Sequence, residues 1–126
     1  MSLDKIWLKA KVIEGKKLGR TLGYPTLNLD QPYLLTGKKE GVYACKMKIG
    51  GKLYHGALYY GPRLILKEKN NILEIFVFDF TKAIYGQEVS FQVLDYIRPV
   101  KKFGNLIDFK KQLESDCRKA KSILLQ

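Results

Sequence analysis

The sequence predicts a mainly β fold, an antiparallel barrel capped by a C-terminal helix. Three observations carry that expectation. Apolar and polar residues alternate in short runs between Lys5 and Pro99. Turn signals built on glycine, proline and asparagine separate those runs at hairpin spacing. Only the last segment changes to a three-to-four residue period, the mark of one amphipathic helix.

The elements follow in chain order. Lys5–Glu14 alternates Ile6, Leu8, Ala10 and Val12 with Lys5, Trp7, Lys9 and Lys11, which is strand period. A glycine-rich loop spans 15–23, and a short extended run follows through Thr26 to Leu29. Asp30–Glu40 is a connection. Gly41–Ile49 is a strand whose core candidates are Val42, Ala44 or Cys45, Met47 and Ile49. Gly50-Gly51 then signals a two-residue hairpin turn into Leu53–Tyr60. Gly61-Pro62-Arg63 should end that strand. Ile72–Phe80 is the most β-prone run, Lys82–Gln87 turns around Gly86, and Glu88–Ile97 is the next strand. Its inner face would hold Val89, Phe91, Val93 and Asp95, with Arg98-Pro99 ending it. Leu106, Phe109, Leu113, Cys117, Ala120 and Leu124 form one helical stripe over about 105–124, with Asn105 as N-cap and Asp108 three residues on.

A chain of 126 residues is long enough for one domain with a single core. No run of about 18 apolar residues occurs, and the N-terminus lacks the layout of a signal peptide; a cytoplasmic address is the expectation. Two cysteines, Cys45 and Cys117, and the single His55 do not make a zinc site. The net charge of +11 favours anionic partners in general. The lysines are scattered along alternating strands, as on a solvated face, so charge does not choose the partner.

One stretch carries chemistry. Gly15, Gly19 and Gly23 recur every four residues around Lys16, Lys17 and Arg20, and Pro25-Thr26-Leu27-Asn28 follows at once. Backbone N–H groups in such a bend can form a concave anion nest, and the basic side chains add charge. A solvated basic hairpin is the plainer reading of the same residues. Thr26 and Asn28, two apart in an extended run, point to one side. Two neutral oxygens, completed by phosphate and water, suit Mg²⁺. The stretch is neither a P-loop, lacking Gly-Lys-Ser/Thr, nor a dinucleotide fingerprint, since Pro25 opens no helix. Glu74 is the second oddity, a carboxylate on the strand face of Ile72, Phe76 and Phe78. It is either an edge glutamate in water or a desolvated acid fit to act as a base.

GRTLGYPTLN at 19–28 closely resembles the signature of the riboflavin kinase (flavokinase) family. GVYA at 41–44, LEIFVFDF at 73–80, IYGQEV at 84–89 and IRPVKKF at 97–103 continue the resemblance along most of the chain. It implies a six-stranded Greek-key β-barrel with a C-terminal α-helix, and an enzyme that phosphorylates the ribityl 5′-hydroxyl of riboflavin from ATP to give FMN. Gly15, Gly19, Arg20, Gly23 and Thr26 would contact the nucleotide, with Val77, Asp79 and Tyr85 flanking it. Thr26 and Asn28 would bind Mg²⁺, and Glu74 would be the general base. Arg98, Lys101, Phe103 and Asn105 would form the flavin side, although the residues alone also allow Arg98 a carboxylate partner within the chain. A monomer is expected, with small-molecule partners and neither nucleic acid nor membrane. Many bacterial relatives join this domain to an FMN adenylyltransferase, of which nothing is present here; the chain is a free-standing kinase or a piece of a longer protein.

The sequence also departs from the pattern. The family commonly carries Gly-x-Arg-Pro-Thr-Phe where this chain has Gly61-Pro62-Arg63-Leu64-Ile65, with proline and arginine exchanged and no threonine. Val100 replaces a common glutamate, and Gly104-Asn105 a common Asp-Ser. Two alternatives follow: a flavin-binding barrel without turnover, and, further off, a basic OB-like barrel for single-stranded nucleic acid.

Overall fold

A computed structural model describes residues 6–125. Six strands close into an antiparallel barrel: β1 (Leu8–Ile13), β2 (Leu27–Leu29), β3 (Gly41–Ile49), β4 (Lys52–Pro62), β5 (Asn71–Val77) and β6 (Glu88–Pro99). Their order around the barrel is β1-β2-β5-β4-β3-β6, with β6 pairing back to β1. Strands β3, β4 and β5 are successive neighbours and β6 returns beside β3, which is a Greek key. A short helix, α1 (Leu18–Thr21), sits inside the glycine-rich loop, and a long one, α2 (Leu106–Leu124), follows the barrel. One-turn 3₁₀ segments occupy Pro32–Leu35 and Leu64–Leu66.

Alternation explains the core. Val12, Leu29, Met47, Leu58, Leu73, Ile75, Val89, Phe91 and Val93 all point inward and are almost wholly buried. Each such side chain contributes roughly 1.5–3 kcal/mol on burial. Ala44 and Ala57 face outward from β3 and β4, and α2 lies on them through Cys117 and Ala120. Small residues at that contact let the helix approach the sheet. Both members of the Ala44/Cys45 pair are therefore buried, Cys45 inside the barrel and Ala44 under the helix. Gly50 and Gly51 turn with φ of 57° and 80°, the paired positive values of a tight hairpin.

Several expected boundaries move. The first strand begins at Leu8, and Lys5 lies outside the described residues. Strand β4 runs through Gly61 and Pro62, which pair with Ile72 and Asn71, so the Gly-Pro pair lies within the strand end. Strand β6 likewise reaches Pro99, opposite Gly41. Proline is tolerated there because a strand end needs no N–H from it. Strand β5 stops at Val77; Phe78 makes one more bond to the His55 carbonyl, and Asp79 then turns with φ of 61°. Asp95 is exposed because a register shift sets Leu94 and Asp95 opposite Ala44 alone, which rotates it out of the inner face. On α2 the stripe begins at Phe109, since Leu106 is 48% exposed. The N-cap is as expected: the Asn105 side chain accepts from the Asp108 N–H.

Candidate active site

Strand pairing assembles the site. Glu74 on β5 is opposite Asn28 on β2 and opposite Tyr59 on β4. Their inward neighbours are core residues, so all three side chains emerge on the outer surface of the barrel. Thr26, two residues before Asn28, lies on the same side. Its hydroxyl donates to Glu74 Oε2 at 3.1 Å. The hydroxyl and the acid, 48 residues apart, thus share one hydrogen bond.

Arg63 completes the cluster from the turn after β4. Its Nη2 donates to Asn28 Oδ1 at 2.6 Å and lies 3.8 Å from Glu74 Oε2. Its Nη1 donates to Glu68 Oε1 at 3.1 Å. Burial raises the Glu74 carboxyl above its ordinary range, while the Arg63 charge and the Thr26 hydrogen bond pull it back without cancelling the rise. Tyr59 donates its hydroxyl to the Pro62 carbonyl at 2.6 Å, and burial pushes it up to about 12.

Thr26, Tyr59, Arg63 and Glu74 line a groove of about 890 Å³, open mouth included, while Asn28 lies buried beneath Arg63 and does not line it. Lys17 and Gly19 of the glycine-rich loop also line it, as do Lys101, Phe103 and Phe109. A smaller hollow of about 380 Å³ lies beside it, lined by Arg20, Thr26, Val77 and Tyr85 among others. Thr26 lines both. Gly15 packs on the site from behind, where any Cβ would collide with the Asn28 amide. Gly19 lies so close to the Tyr24 carbonyl that a Cβ would not fit, and Gly23 turns with φ of 88°.

Some sequence-predicted residues fall elsewhere. Asp79 lines a different hollow with His55 and Lys121, away from Arg20, Val77 and Tyr85. Asn105 is occupied as the cap of α2. Arg98 lines the groove, but its guanidinium is engaged: Nε and Nη2 donate to the two oxygens of Asp116 at 2.8 Å each, and Nη1 to the Pro99 carbonyl. Of the two partners the residues alone allowed Arg98, the structure shows the carboxylate.

Sequence reasoning missed Arg63 as a site residue, along with Glu68, Tyr59 and Asp116. Asp116 carried a signal. It lies three residues after Leu113 and four before Ala120, on the apolar stripe, where a charge needs a buried partner. For Arg63 the signal was only its place in the altered Gly61–Ile65 segment.

Among the described residues no cluster of three or more His, Cys, Asp or Glu could hold a metal by itself. Thr26 Oγ1 and Asn28 Oδ1 are hard oxygens of the kind Mg²⁺ takes, with phosphate and water filling the rest of its shell. Thr26 Oγ1 donates to Glu74 and Asn28 Oδ1 accepts from Arg63, so each would offer Mg²⁺ only a remaining lone pair.

The riboflavin kinase (flavokinase) family model matches residues 3–124. The chain belongs to the riboflavin kinase family. It is 37% identical over 113 residues to the bifunctional riboflavin kinase/FMN adenylyltransferase of Haemophilus influenzae, covering 89% of this chain and 36% of that one. It is 33% identical over 120 residues to the trifunctional protein RibF/MnmA of Mycoplasmoides gallisepticum, covering 95% of this chain and 18% of that one. The chain therefore spans about a third or less of the length of these relatives. The crystal structure of riboflavin kinase from Trypanosoma brucei shares the fold at a TM-score of 0.66 and 24% identity, covering 95% of this chain and 80% of that one. The six-stranded barrel with a C-terminal helix is the architecture of this family. Among the described residues no helix is long and apolar enough to cross a membrane.

Proposed function

We propose that the chain is one kinase unit, a barrel over Leu8–Pro99 and a helix over Leu106–Leu124, that transfers the γ-phosphoryl of ATP to the 5′-hydroxyl of riboflavin and acts in the cytoplasm as a monomer. The observation that carries this is the Thr26–Glu74 hydrogen bond, because it lies where the groove and the smaller hollow meet. ATP would take the hollow, with Arg20 and the glycine-loop N–H groups on its phosphates and Tyr85 beside the base. Riboflavin would take the groove, its ring against Phe103 and its ribityl chain reaching Glu74.

Glu74 then has the task of accepting the proton of the 5′-hydroxyl. Its raised pKa makes it a stronger base than a surface glutamate, and Arg63 beside it favours the ionised form that the task needs. Thr26 fixes the carboxylate by its hydrogen bond. Phosphoryl transfer asks little covalent chemistry of a protein, so positioning and charge stabilisation supply most of the effect. Mg²⁺, when bound, would be held by Thr26 and Asn28 and would neutralise charge on the phosphates. Lys17 and Lys101, which both line the groove, add positive potential.

The test is FMN formation from riboflavin with Mg-ATP, followed by chromatography. Steady FMN production that needs both substrates and falls about 10²–10⁴-fold with Glu74→Gln is the expected result. Flavin and nucleotide binding without FMN would replace this reading with that of a binding barrel.

A further inference from the structure

Arg63 is the charged group at the centre of the cluster for which the phosphoryl-transfer scheme requires no direct contact with substrate. Its side chain is only 13% exposed. The turn that carries it is held in several ways. Tyr59 pins the Pro62 carbonyl, and Lys67 turns with φ of 58°, which brings Glu68 back over Arg63. There the Glu68 N–H donates to the Arg63 carbonyl at 3.1 Å, and its carboxylate accepts from Nη1. Lys16 approaches the other Glu68 oxygen at 3.9 Å. One arm of the guanidinium is thus anchored, and the other is aimed between Asn28 and Glu74.

The geometry points to Arg63 as a positioning residue for the transfer step, acting through Asn28 and Glu74, with Glu68 as its anchor. This rests on the kinase reading above. The amide of Asn28 has two ends of opposite character. A donor at 2.6 Å from Oδ1 fixes which end of the amide faces Arg63, and with it the direction of the amide nitrogen. The same nitrogen lies 3.8 Å from Glu74 Oε2, the oxygen that accepts from Thr26, close enough to attract it electrostatically. Remove the guanidinium and two effects follow. Glu68 and Glu74 lose the cation between them and repel, and the Asn28 amide is free to turn. A lysine would not substitute, since one ammonium cannot span the anchor and the two targets as a planar fork does.

The experiment measures kcat and KM for ATP and for riboflavin in wild type, Arg63→Ala, Arg63→Lys and Glu68→Gln, with thermal melts of each. Arg63→Ala should lower kcat by about 100-fold, the scale of a small misplacement of reacting groups, with both KM values within about threefold. Arg63→Lys should recover little. Added guanidinium should restore part of the lost rate in Arg63→Ala, and methylammonium should not. Glu68→Gln should lower kcat in the same sense by about tenfold, because the fork is kept but loosened. Wild-type kcat in Arg63→Ala, or a loss confined to KM or to melting temperature, overturns the proposal. Should Arg63→Ala not fold, Glu68→Gln decides alone: an unchanged kcat overturns it. FMN from wild type with an indifferent Arg63 sinks this inference only, whereas no FMN from wild type removes the kinase reading and this inference with it.

Discussion

Arg98 and Asp116 are joined by two parallel hydrogen bonds of 2.8 Å, which tie the end of β6 to the buried face of α2. Asp116 is 3% exposed and takes a third bond from Gln112 at 2.9 Å. A fork on a carboxylate is the strongest form of such a pair, yet its worth is set by desolvation as much as by attraction. Arg98→Met should therefore destabilise by about 3–5 kcal/mol, because it leaves a buried charge without its partner. Arg98→Met together with Asp116→Leu should recover most of that. Urea unfolding of the three proteins checks both statements.

Glu74 is expected to weaken the fold it serves. Its pKa is raised in the folded chain, so the folded state holds the proton more tightly than the unfolded state. Its contribution is whole below the ordinary value of 4.5 and is lost as pH rises through the folded value. At neutral pH the ionised acid is a net cost. Glu74→Gln should melt higher than wild type at pH 7, and the gap should shrink towards pH 4. The same variant should lose about 10²–10⁴-fold in kcat. In wild type the acid limb of the rate profile should lie above the usual glutamate range.

Gly15 is required by Asn28. A methyl group there would strike the amide that Arg63 holds. Gly15→Ala should cost about 1–3 kcal/mol by overpacking, and should cost more than Gly104→Ala, whose Cβ would meet nothing within 4 Å. Thermal melts separate the two.

The two hollows divide the nucleotide candidates. Arg20→Ala should raise KM for ATP by about 10- to 100-fold, the effect of losing a charge-assisted hydrogen bond of about 1.5–3 kcal/mol. Asp79→Gly should leave it unchanged, since Asp79 stands in another hollow. It should also be tolerated within about 1 kcal/mol, because glycine accepts the left-handed backbone that Asp79 adopts. ATP titrations at saturating riboflavin provide the measurement.

Much of the molecule was legible from its residues. Alternation placed Val12, Met47, Phe91 and Val93 in the core, and the Gly50-Gly51 turn and the Asn105 cap followed from local preference. The joint orientation of Thr26 and Asn28 followed from strand period. Strand ends were the weak point. Gly61-Pro62 and Arg98-Pro99 read as breaks, yet partner strands extended pairing through both.

Residue order and local preference were thus sufficient for the barrel, its helix and the family. They were not sufficient for the partner of each charge. Whether Arg98 meets a ligand or Asp116, whether Asp79 joins Tyr85, and whether Arg63 reaches Asn28 depend on which strands adjoin when the barrel closes and where α2 lies on it. Those are contacts between segments distant along the chain. Local pattern sets the side a residue faces, and only closure of the barrel sets what stands opposite.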